Sequence, residues 1–222
     1  MGRHGRRVCM VLSVLVALTL VASPAWAGLE FKIDISPNTP VETGWVGVDG
    51  NNRHDNGTAV DLGGGVSVGC PGWGQMTTGD RGTANTPGYN PDLFRDFGES
   101  SKATGVVFLE MRGLPAADYL VTVVSGDTVW AEVPDWMLVN GTSLPLPGYL
   151  KTRPNIEAQS ASLVVTLGAG GAVSLAEDPA GGKGKIAGFM VQELVPPVEP
   201  VSEPSGLGLL GLALLGVRRK RS

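Results

Sequence analysis

The feature that most constrains this fold is a pair of long apolar strand patterns separated by a tight turn. Residues 106–112 and 119–127 are dominated by β-branched and aromatic side chains, and residues 113–118 between them are rich in Gly, Pro and Asp. This order predicts two strands joined as a β-hairpin. A third strand, residues 136–139, ends at the dipeptide Asn140-Gly141, which favours a tight turn because both residues tolerate positive φ.

Residues 29–35 alternate apolar and polar side chains with period two, and no amphipathic helix of useful length is predicted in the body. Tyr119 and Trp136 fall in strand patterns and are predicted core residues. The fold class that follows is all-β, with about eight to ten short strands arranged as a β-sandwich or jelly roll. Further strands are predicted at residues 29–35, 44–48, 162–167, 172–176 and 185–194, of which the third and fourth would form a second hairpin.

One stretch, residues 49–90, lacks extended strand patterns and is rich in Gly, Asn, Asp and Thr. Connections longer than about 12–15 residues inside a compact domain tend to be functional. We therefore expect a binding surface in this stretch. Residues 89–97 then return to the core through a short helix or turn that would plug one end of the sandwich. Arg95 and Asp96 are expected to pair there and to anchor the long loop, and ligand binding is the alternative for them.

The first 27 residues have the pattern of a signal peptide. Three arginines come before an almost wholly apolar run, and Ala25-Trp26-Ala27 supplies small residues at −3 and −1 of a cleavage site. Cleavage is therefore predicted between Ala27 and Gly28, which implies an exported protein. The body that follows, residues 28–195, has 168 residues, a length that suits one domain with a single core.

The C-terminal part has three segments of different composition. Residues 196–204 form a Pro-rich spacer, residues 206–217 an uncharged apolar run, and residues 218–221 a basic cluster. A helix of about 12 residues would span about 18 Å, less than the roughly 30 Å hydrocarbon core of a bilayer. Transient membrane insertion, with the basic cluster on the cytoplasmic side, is therefore expected.

The same order of segments resembles a PEP-CTERM sorting signal over residues 205–222. The motif of that family is Pro-Glu-Pro, and the counterpart here is Ser202-Glu203-Pro204. The resemblance implies processing by an exosortase-type enzyme in a Gram-negative bacterium. It also implies a location in the cell envelope, at the outer surface or in the extracellular matrix. A weak C-terminal anchor that stays attached is the alternative.

Composition narrows the possible partners and catalysts. Residues 28–198 contain 10 basic and 19 acidic residues, a net charge of about −9, which argues against nucleic acid as a partner. Cys9 lies in the predicted leader, so Cys70 has no cysteine in the body to pair with. His54 is the only histidine beyond the leader, so a Ser-His-Asp or Cys-His catalyst would have to use it. No catalytic residue is predicted, and a hydrolase acting through His54 is the least favoured interpretation.

Candidate ligand-binding residues are the aromatic residues of the predicted loops. Trp73, Tyr89 and Trp130 could each stack a flat ring on a sugar, and packing of the loop against the sandwich is the alternative for each. Two acid pairs, Glu132 with Asp135 and Glu177 with Asp178, also fall in predicted loops. We expect them to be solvated carboxylates rather than a glycosidase pair.

A calcium site is one interpretation of residues 49–57. Asp49, Asn51 and Asp55 supply hard oxygen ligands on a Gly-containing loop, which is the chemistry that calcium prefers. No glutamate follows at the distance an EF-hand loop requires. Asn, Asp and Gly also favour tight turns, so turn formation is the alternative, and no other cofactor is predicted.

Several motifs resemble those of accessory β-sandwich domains of the galactose-binding-like superfamily, which accompany many bacterial polysaccharide esterases and lyases. In that family a strand leads into Leu-Pro-x-Gly-x-Tyr, then Val-Thr-Val and Gly-Asp, and later Val-x-Val-Asn-Gly. Asp118 stands here in place of the glycine that precedes the tyrosine. The counterparts are Leu114-Pro115, Tyr119, Val121-Thr122-Val123, Gly126-Asp127 and Leu138-Val139-Asn140-Gly141.

This resemblance implies a galactose-binding-like body and a polysaccharide as its partner. The function expected from the sequence is that of a non-catalytic exported protein of the envelope or exopolysaccharide, which binds carbohydrate through loops of the sandwich. The alternative is a structural or protein-interaction component of the envelope that binds no sugar.

Overall fold

Two β-sheets face each other across one apolar core in the computed structural model, which describes residues 28–80, 91–101, 105–126, 136–147, 156–181 and 184–195. The all-β sandwich expected from the sequence is confirmed within these ranges. The elements are β1 (Glu30–Ile35), β2 (Val46–Val48), β3 (Val60–Gly63), β4 (Val66–Gly69), β5 (Met76–Asp80), α1 (Pro91–Arg95), β6 (Asp96–Ser100), β7 (Val107–Leu114), β8 (Ala117–Ser125), β9 (Trp136–Val139), β10 (Thr142–Pro145), β11 (Ser160–Leu167), β12 (Gly171–Glu177) and β13 (Ile186–Glu193).

The sheets are built almost wholly from antiparallel pairs. The first sheet has the order β11-β8-β13-β1-β2, and β6, which carries β5 on its other side, also pairs with β13. The second sheet has the order β10-β9-β12-β7-β4-β3. Among the strand pairs of the described chain, only β1 with β2 is parallel.

Alternate residues of both sheets fill the core. Leu109 and Met111 on β7 lie in register with Leu175 and Val173 on β12, and all four side chains are fully buried. Such period-two burial removes one face of each strand from water while the other face stays polar. The first sheet contributes, among others, Ile33, Ile35, Val121, Val123, Phe189 and Val191 to the same core.

A second, smaller apolar cluster covers part of the outer face of the first sheet. It consists of Leu93 and Phe94 from α1 and Val124 and Ala187 from the sheet, with Trp45 and Ile156 packed against them. Gly188 permits this packing, because a Cβ atom there would lie 3.1 Å from Leu93 Cδ1 and 2.3 Å from the Ile33 carbonyl oxygen. The short helix predicted near residues 89–97 is therefore present, but it covers a sheet face instead of an end of the sandwich.

Both long hairpins predicted from the sequence are wrong. β7 belongs to the second sheet and β8 to the first. β11 belongs to the first sheet and β12 to the second. Each turn therefore crosses the core from one sheet to the other. The turn at Asn140-Gly141 does join a hairpin, β9 with β10, and both residues have positive φ, 48° and 78°.

The stretch 49–90 contains more regular structure than its composition predicted. β3, β4 and β5 all fall within it, and β3 pairs with β4 across Gly64-Gly65. These strands have only four or five residues and contain glycine, so they carry little of the alternation that marks a strand. Residues 81–90 lie outside the described chain.

Candidate functional site at the loop end of the sandwich

Most connections between the strands leave from the same end of the sandwich. Because the strands alternate in direction, the connections after β2, β4, β6, β8, β10 and β12 begin at that end, which we call the loop end. The short turns after β3, β7, β9 and β11 lie at the opposite turn end. Leu29 and Glu193 are also at the turn end, where the Glu193 amide donates to the Leu29 carbonyl oxygen over 2.8 Å.

Two loop-end segments are joined by main-chain hydrogen bonds. The Cys70 amide donates to the Asn52 carbonyl oxygen over 2.7 Å, and the His54 amide donates to the Cys70 carbonyl oxygen over 2.9 Å. Arg53 and Cys70 form an isolated parallel bridge between these bonds. We call the joined segments, residues 52–55 and 70–75, the Trp73 platform.

Trp73 stands out from this platform. Its side chain is 77% exposed, the largest exposure among the large hydrophobic residues of the described chain. The preceding Gly72 is fixed by a hydrogen bond from its amide to Gln75 Oε1, 3.0 Å long. Gly72 also faces the carboxylate of Asp55, since a Cβ atom there would lie 3.5 Å from Asp55 Oδ2. The fold thus places Asp55 beside Gly72, the residue before Trp73, although the sequence had assigned Asp55 and Trp73 to different sites.

Asp55 and His54 have structural neighbours of their own. Asp55 Oδ1 lies 3.8 Å from Arg53 Nε, and the aspartate side chain is 45% exposed. His54 Nε2 lies 3.2 Å from the carbonyl oxygen of Glu110 on β7. That contact fixes the platform to the second sheet and occupies one nitrogen of the imidazole ring.

The two other residues predicted to bind calcium form a local turn. Asp49 Oδ1 accepts hydrogen bonds from the amides of Asn51, at 2.7 Å, and Asn52, at 3.3 Å, and Asp49 Oδ2 accepts from Asn51 Nδ2. The Asn51 carbonyl oxygen accepts from Thr58 Oγ1 at 2.6 Å. Turn formation thus accounts for the hydrogen bonds of both Asp49 and Asn51. Within the described ranges no group of three or more His, Cys, Asp or Glu residues is arranged to hold a metal ion, and the calcium site stays a prediction.

Cys70 is the first residue of the second platform segment, and its side chain is fully buried. Burial raises the pKa of its thiol to about 11, and the charges of Asp49 and Asp55 add to this while Arg53 opposes it. A thiol with so high a pKa is protonated at neutral pH, so Cys70 acts as an apolar core residue there.

Trp136, predicted to be buried, is 39% exposed at the start of β9. Met137 and Val139 face the core, so the alternation of the strand turns Trp136 and Leu138 outward. The indole packs on Gly181, where a Cβ atom would lie 2.8 Å from Trp136 Cδ1. Sequence reasoning missed this second loop-end aromatic residue, although the two apolar residues that alternate with it could have indicated its outward direction. Tyr119 is buried as predicted.

Glu177 and Asp178 were predicted to be solvated, and this is wrong, since both are buried. Glu177 Oε1 accepts the Ser100 amide at 2.9 Å. Asp178 accepts hydrogen bonds from Ser143 Oγ, at 2.5 Å, and the Ala180 amide, at 2.8 Å, and these two bonds lower its pKa. Both carboxylates hold loop-end connections in place, which explains their burial.

Arg95 and Asp96 do lie close together, with Arg95 Nε 3.7 Å from Asp96 Oδ1. The stronger partner of the guanidinium is Asp80, which it contacts through two nitrogens at 3.1 and 2.7 Å. Arg95 therefore fixes the end of β5 to α1, next to the segment 81–90.

Other predicted residues lie outside the described chain: Tyr89, Trp130, Glu132, Asp135, Ala27 and the sorting motif Ser202, Glu203 and Pro204. Gly28 is the first described residue and lies against Glu193 and Val195. None of the described helices is long and apolar enough to cross a membrane. The apolar run 206–217 is beyond the described ranges.

Two clefts lie at the turn end. One, of about 620 Å³, is lined by residues 116–118, 166–167 and 193–195. The other, of about 450 Å³, is mostly apolar and lies between the sheets, lined among others by Phe31, Leu62 and Val66. Neither contains a residue that the sequence indicated for ligand binding.

Comparison with known proteins supports the fold. No protein-family model and no curated protein matches the sequence. Among solved structures, the YxiM protein of Bacillus subtilis matches with a TM-score of 0.51 and 14% sequence identity, over 75% of this chain and 40% of that one. A calcium-binding mutant of β-glucuronidase 2 from Bacteroides uniformis matches with a TM-score of 0.47 and 13% identity, over 76% of this chain. The Bacteroides uniformis β-glucuronidase matches with 0.41 and 12%, over 75% of this chain.

The chain spans only 40% of the YxiM protein and 18% of each glucuronidase chain. At 14% identity the likeness to the YxiM protein concerns the fold alone, which is that of a β-sandwich.

Proposed function

We propose that this β-sandwich is a non-catalytic, exported carbohydrate-binding domain of the galactose-binding-like type, and that it binds polysaccharide at the Trp73 platform. The single observation that carries the proposal is the exposure of Trp73, 77%, on a segment fixed by main-chain hydrogen bonds. Leaving an indole in water is unfavourable, because burying an aromatic side chain removes about 150–250 Å² of surface from solvent. A bound ligand with an apolar face would recover that free energy.

The neighbouring groups suit a hydroxyl-rich ligand. The carboxylate of Asp55 accepts hydrogen bonds, and the guanidinium of Arg53 beside it donates them. A pyranose ring offers an apolar face for the indole and hydroxyls for such groups. The bonds between residues 52–55 and 70–75 hold this arrangement before a ligand arrives, which reduces the entropy lost on binding.

Retention on immobilised polysaccharides tests the proposal. The wild type should be retained on at least one of a panel of insoluble and soluble glycans that includes the extracellular matrix of the source cells. Trp73→Ala should weaken retention by about 30-fold or more, which corresponds to the loss of about 2 kcal/mol typical of a central aromatic contact. Val164→Ala is the matched control, since Val164 is 55% exposed on β11.

Two results would separate the alternatives. Equal retention of Trp73→Ala and Val164→Ala would assign binding to another surface. Trp130→Ala, made in parallel, tests the other loop tryptophan predicted from the sequence. No retention of the wild type on any glycan would favour the alternative of a structural or protein-interaction component without sugar binding.

We also propose the export route indicated by the ends of the sequence. A signal peptidase would release residues 1–27, and an exosortase-type enzyme would act near Ser202-Glu203-Pro204 while residues 206–217 insert transiently in the membrane. Mass spectrometry of the exported protein should then give Gly28 as its first residue and a C-terminus within residues 202–206. A mature protein that retains residues 206–222 would instead be a membrane-anchored form.

A further inference from the structure

Two aspartates are buried beneath a ten-residue connection on the outer face of the first sheet. Asp34 is the fifth residue of β1 and Asp96 the first of β6, and both are fully shielded from solvent. The connection is residues 36–45, which follow β1 and cross the sheet to reach β2; we call it the strap. Each aspartate holds the strap by one hydrogen bond.

Asp34 binds the second half of the strap. Its Oδ2 accepts the amide of Glu42 over 2.8 Å. Its Oδ1 is buried and has no hydrogen-bond partner. Glu42 is itself tied to α1, because Glu42 Oε2 accepts the amide of Leu93 over 3.4 Å. One oxygen of Asp34 thus fixes the strap while the other lies unsolvated.

Asp96 binds the first half of the strap in the same way. Its Oδ2 accepts the hydroxyl of Thr39, whose oxygen also lies 3.0 Å from Ser36 Oγ. Its Oδ1 is buried without a hydrogen-bond partner, 3.7 Å from Arg95 Nε. The two aspartates are thus arranged alike, with one bonded and one unbonded oxygen each.

The charged groups facing this pair are mostly acidic. The strap contributes Glu42, α1 contributes Asp92, and β5 contributes Asp80. α1 also contributes Arg95, which is engaged chiefly by Asp80. The opposing residue of β13, Gly188, is uncharged, and Lys185, directly before that strand, has its Nζ 5.2 Å from the centroid of the Phe97 ring.

Burial and like charge both disfavour ionisation here. Desolvation raises the pKa of Asp34 to about 7, with further contributions from Asp96, Glu42 and Asp92 against the Glu42 amide bond. Desolvation likewise raises the pKa of Asp96 to about 7, with Asp80 and Asp92 adding to it and Thr39 and Arg95 opposing it. A protonated carboxyl keeps its acceptor oxygen for the strap and supplies a donor from the other oxygen.

We propose that Asp34 and Asp96 form a proton-operated latch, which holds the strap on the sheet while the carboxyls are protonated and loosens it when both are ionised. Loosening of the strap would also affect the Trp73 platform, because few residues separate the two along the chain. The strap leads into β2, which pairs only with β1 among the described strands, and Asp49 follows β2 directly. The Ser36 amide also donates to the Val48 carbonyl oxygen over 3.0 Å. This effect on glycan binding rests on the proposed function, whereas the latch itself does not.

Hydrogen exchange of the strap amides tests the latch without any glycan. The readout is the protection of the Glu42 and Trp45 amides in the purified protein between pH 5 and 8, corrected for the intrinsic exchange rate. Protection should fall by about tenfold per pH unit for each carboxyl that ionises on opening, and level off above pH 7 to 8. Protection that is independent of pH would overturn the proposal.

Asparagine variants identify the groups. The double variant Asp34→Asn, Asp96→Asn resembles the protonated pair, so its strap should be as protected at pH 8 as that of the wild type at pH 5. Asp118→Asn is the matched control, because Asp118 is exposed and accepts a bond from Thr166 Oγ1 at the turn end; it should keep the wild-type pH dependence. A pH dependence retained in the double variant would contradict the latch.

Two further measurements cover other outcomes. If the double variant does not fold, carboxyl-carbon NMR titration of the wild type decides, and apparent pKa values near 4 for both aspartates would overturn the proposal. Restoration of strap protection at pH 8 by 1 mM calcium chloride, with a stoichiometry of one, would show a cation site in place of a proton latch. A failure of glycan retention would leave the exchange result unaffected, so the two proposals fail separately.

Discussion

The amide of Cys70 donates a hydrogen bond to the carbonyl oxygen of Asn52, and this 2.7 Å contact joins two loop-end segments that are 18 residues apart in sequence. Gly69, directly before Cys70, makes the approach possible. A Cβ atom at that position would lie 2.8 Å from the Asn52 carbonyl oxygen and 3.1 Å from its carbonyl carbon. The geometry of the Trp73 platform therefore depends on a residue without a side chain.

Gly69→Ala should destabilise the protein by about 1–3 kcal/mol and weaken glycan retention, because the added methyl group must displace the Asn52 backbone. The free energy of unfolding in urea and retention on the bound glycan are the two measurements. Gly168→Ala is the control, since nothing lies within 4 Å of a Cβ atom there, and its change should stay within about 0.5 kcal/mol. Equal effects of the two substitutions would contradict this account of the platform.

Tyr119→Phe should cost about 1 kcal/mol of stability. The ring is fully buried on β8, and its hydroxyl donates to the Pro115 carbonyl oxygen over 3.1 Å, across the turn between the two sheets. Removing the hydroxyl leaves this carbonyl without that donor while the packing of the ring is kept. Urea unfolding monitored by circular dichroism measures the change, and an unchanged midpoint would mean that solvent replaces the bond at no cost.

Stability should decrease as pH rises from about 4 to about 7. Asp34 and Asp96 have folded-state pKa values of about 7 against an ordinary value of 3.8, so the folded state binds more protons than the unfolded state in this range. The stabilisation that the two carboxyls give to the folded state is complete below about pH 4 and is lost as the pH rises to about 7. Above about pH 7 it no longer changes with pH. Urea midpoints at pH 4.5, 5.5, 6.5 and 7.5 would show it.

Asp178 acts in the opposite sense and in a different pH range. Hydrogen bonds from Ser143 and Ala180 lower its pKa, so its contribution is present at neutral pH and disappears only below about pH 4. Replacing both Asp34 and Asp96 with Asn should therefore flatten the profile between pH 4.5 and 7.5, while Asp178→Asn should leave that slope unchanged. A midpoint that rises from pH 4.5 to 7 in the wild type would contradict these assignments.

Cys70 should react slowly with thiol reagents in the folded protein. A pKa of about 11 instead of 9.0 reduces the thiolate fraction at pH 8 by about 100-fold, and the side chain is also buried. The measurement is the rate of labelling by a disulfide reagent in a Cys9→Ser background, with the urea-unfolded protein as reference. Equal rates in the folded and unfolded protein would place the thiol at the surface.

Alternation along the chain predicted strands well but not their partners. Residues 107–114 and 117–125 show which side chains face the core, and this pattern is the same whether consecutive strands pair in one sheet or face each other across two. The two hairpin predictions were wrong because alternation does not show whether consecutive strands pair with each other. Asn140-Gly141 succeeded because its backbone conformation itself determines a hairpin turn.

The candidate site could be predicted only in part. Trp73 follows a Pro-Gly pair and precedes a glycine, so a solvent-facing loop was predictable from local sequence. The approach of the neighbouring Gly72 to Asp55 depends on main-chain bonds between distant segments, which no local pattern indicates. Asp34 shows the same limit: it lies between the core residues Ile33 and Ile35 on β1, and its burial depends on the strap, which no local pattern indicates.

The bond between Glu193 and Leu29 brings both boundaries of the described chain to the side of the sandwich that faces away from Trp73. A cargo fused to either boundary, or a solid support coupled there, would consequently be kept some distance from the indole. Sensor chips loaded through the N-terminal or the C-terminal side should report the same affinity for a soluble glycan, and the domain could be displayed in either orientation without obstructing access to its tryptophan.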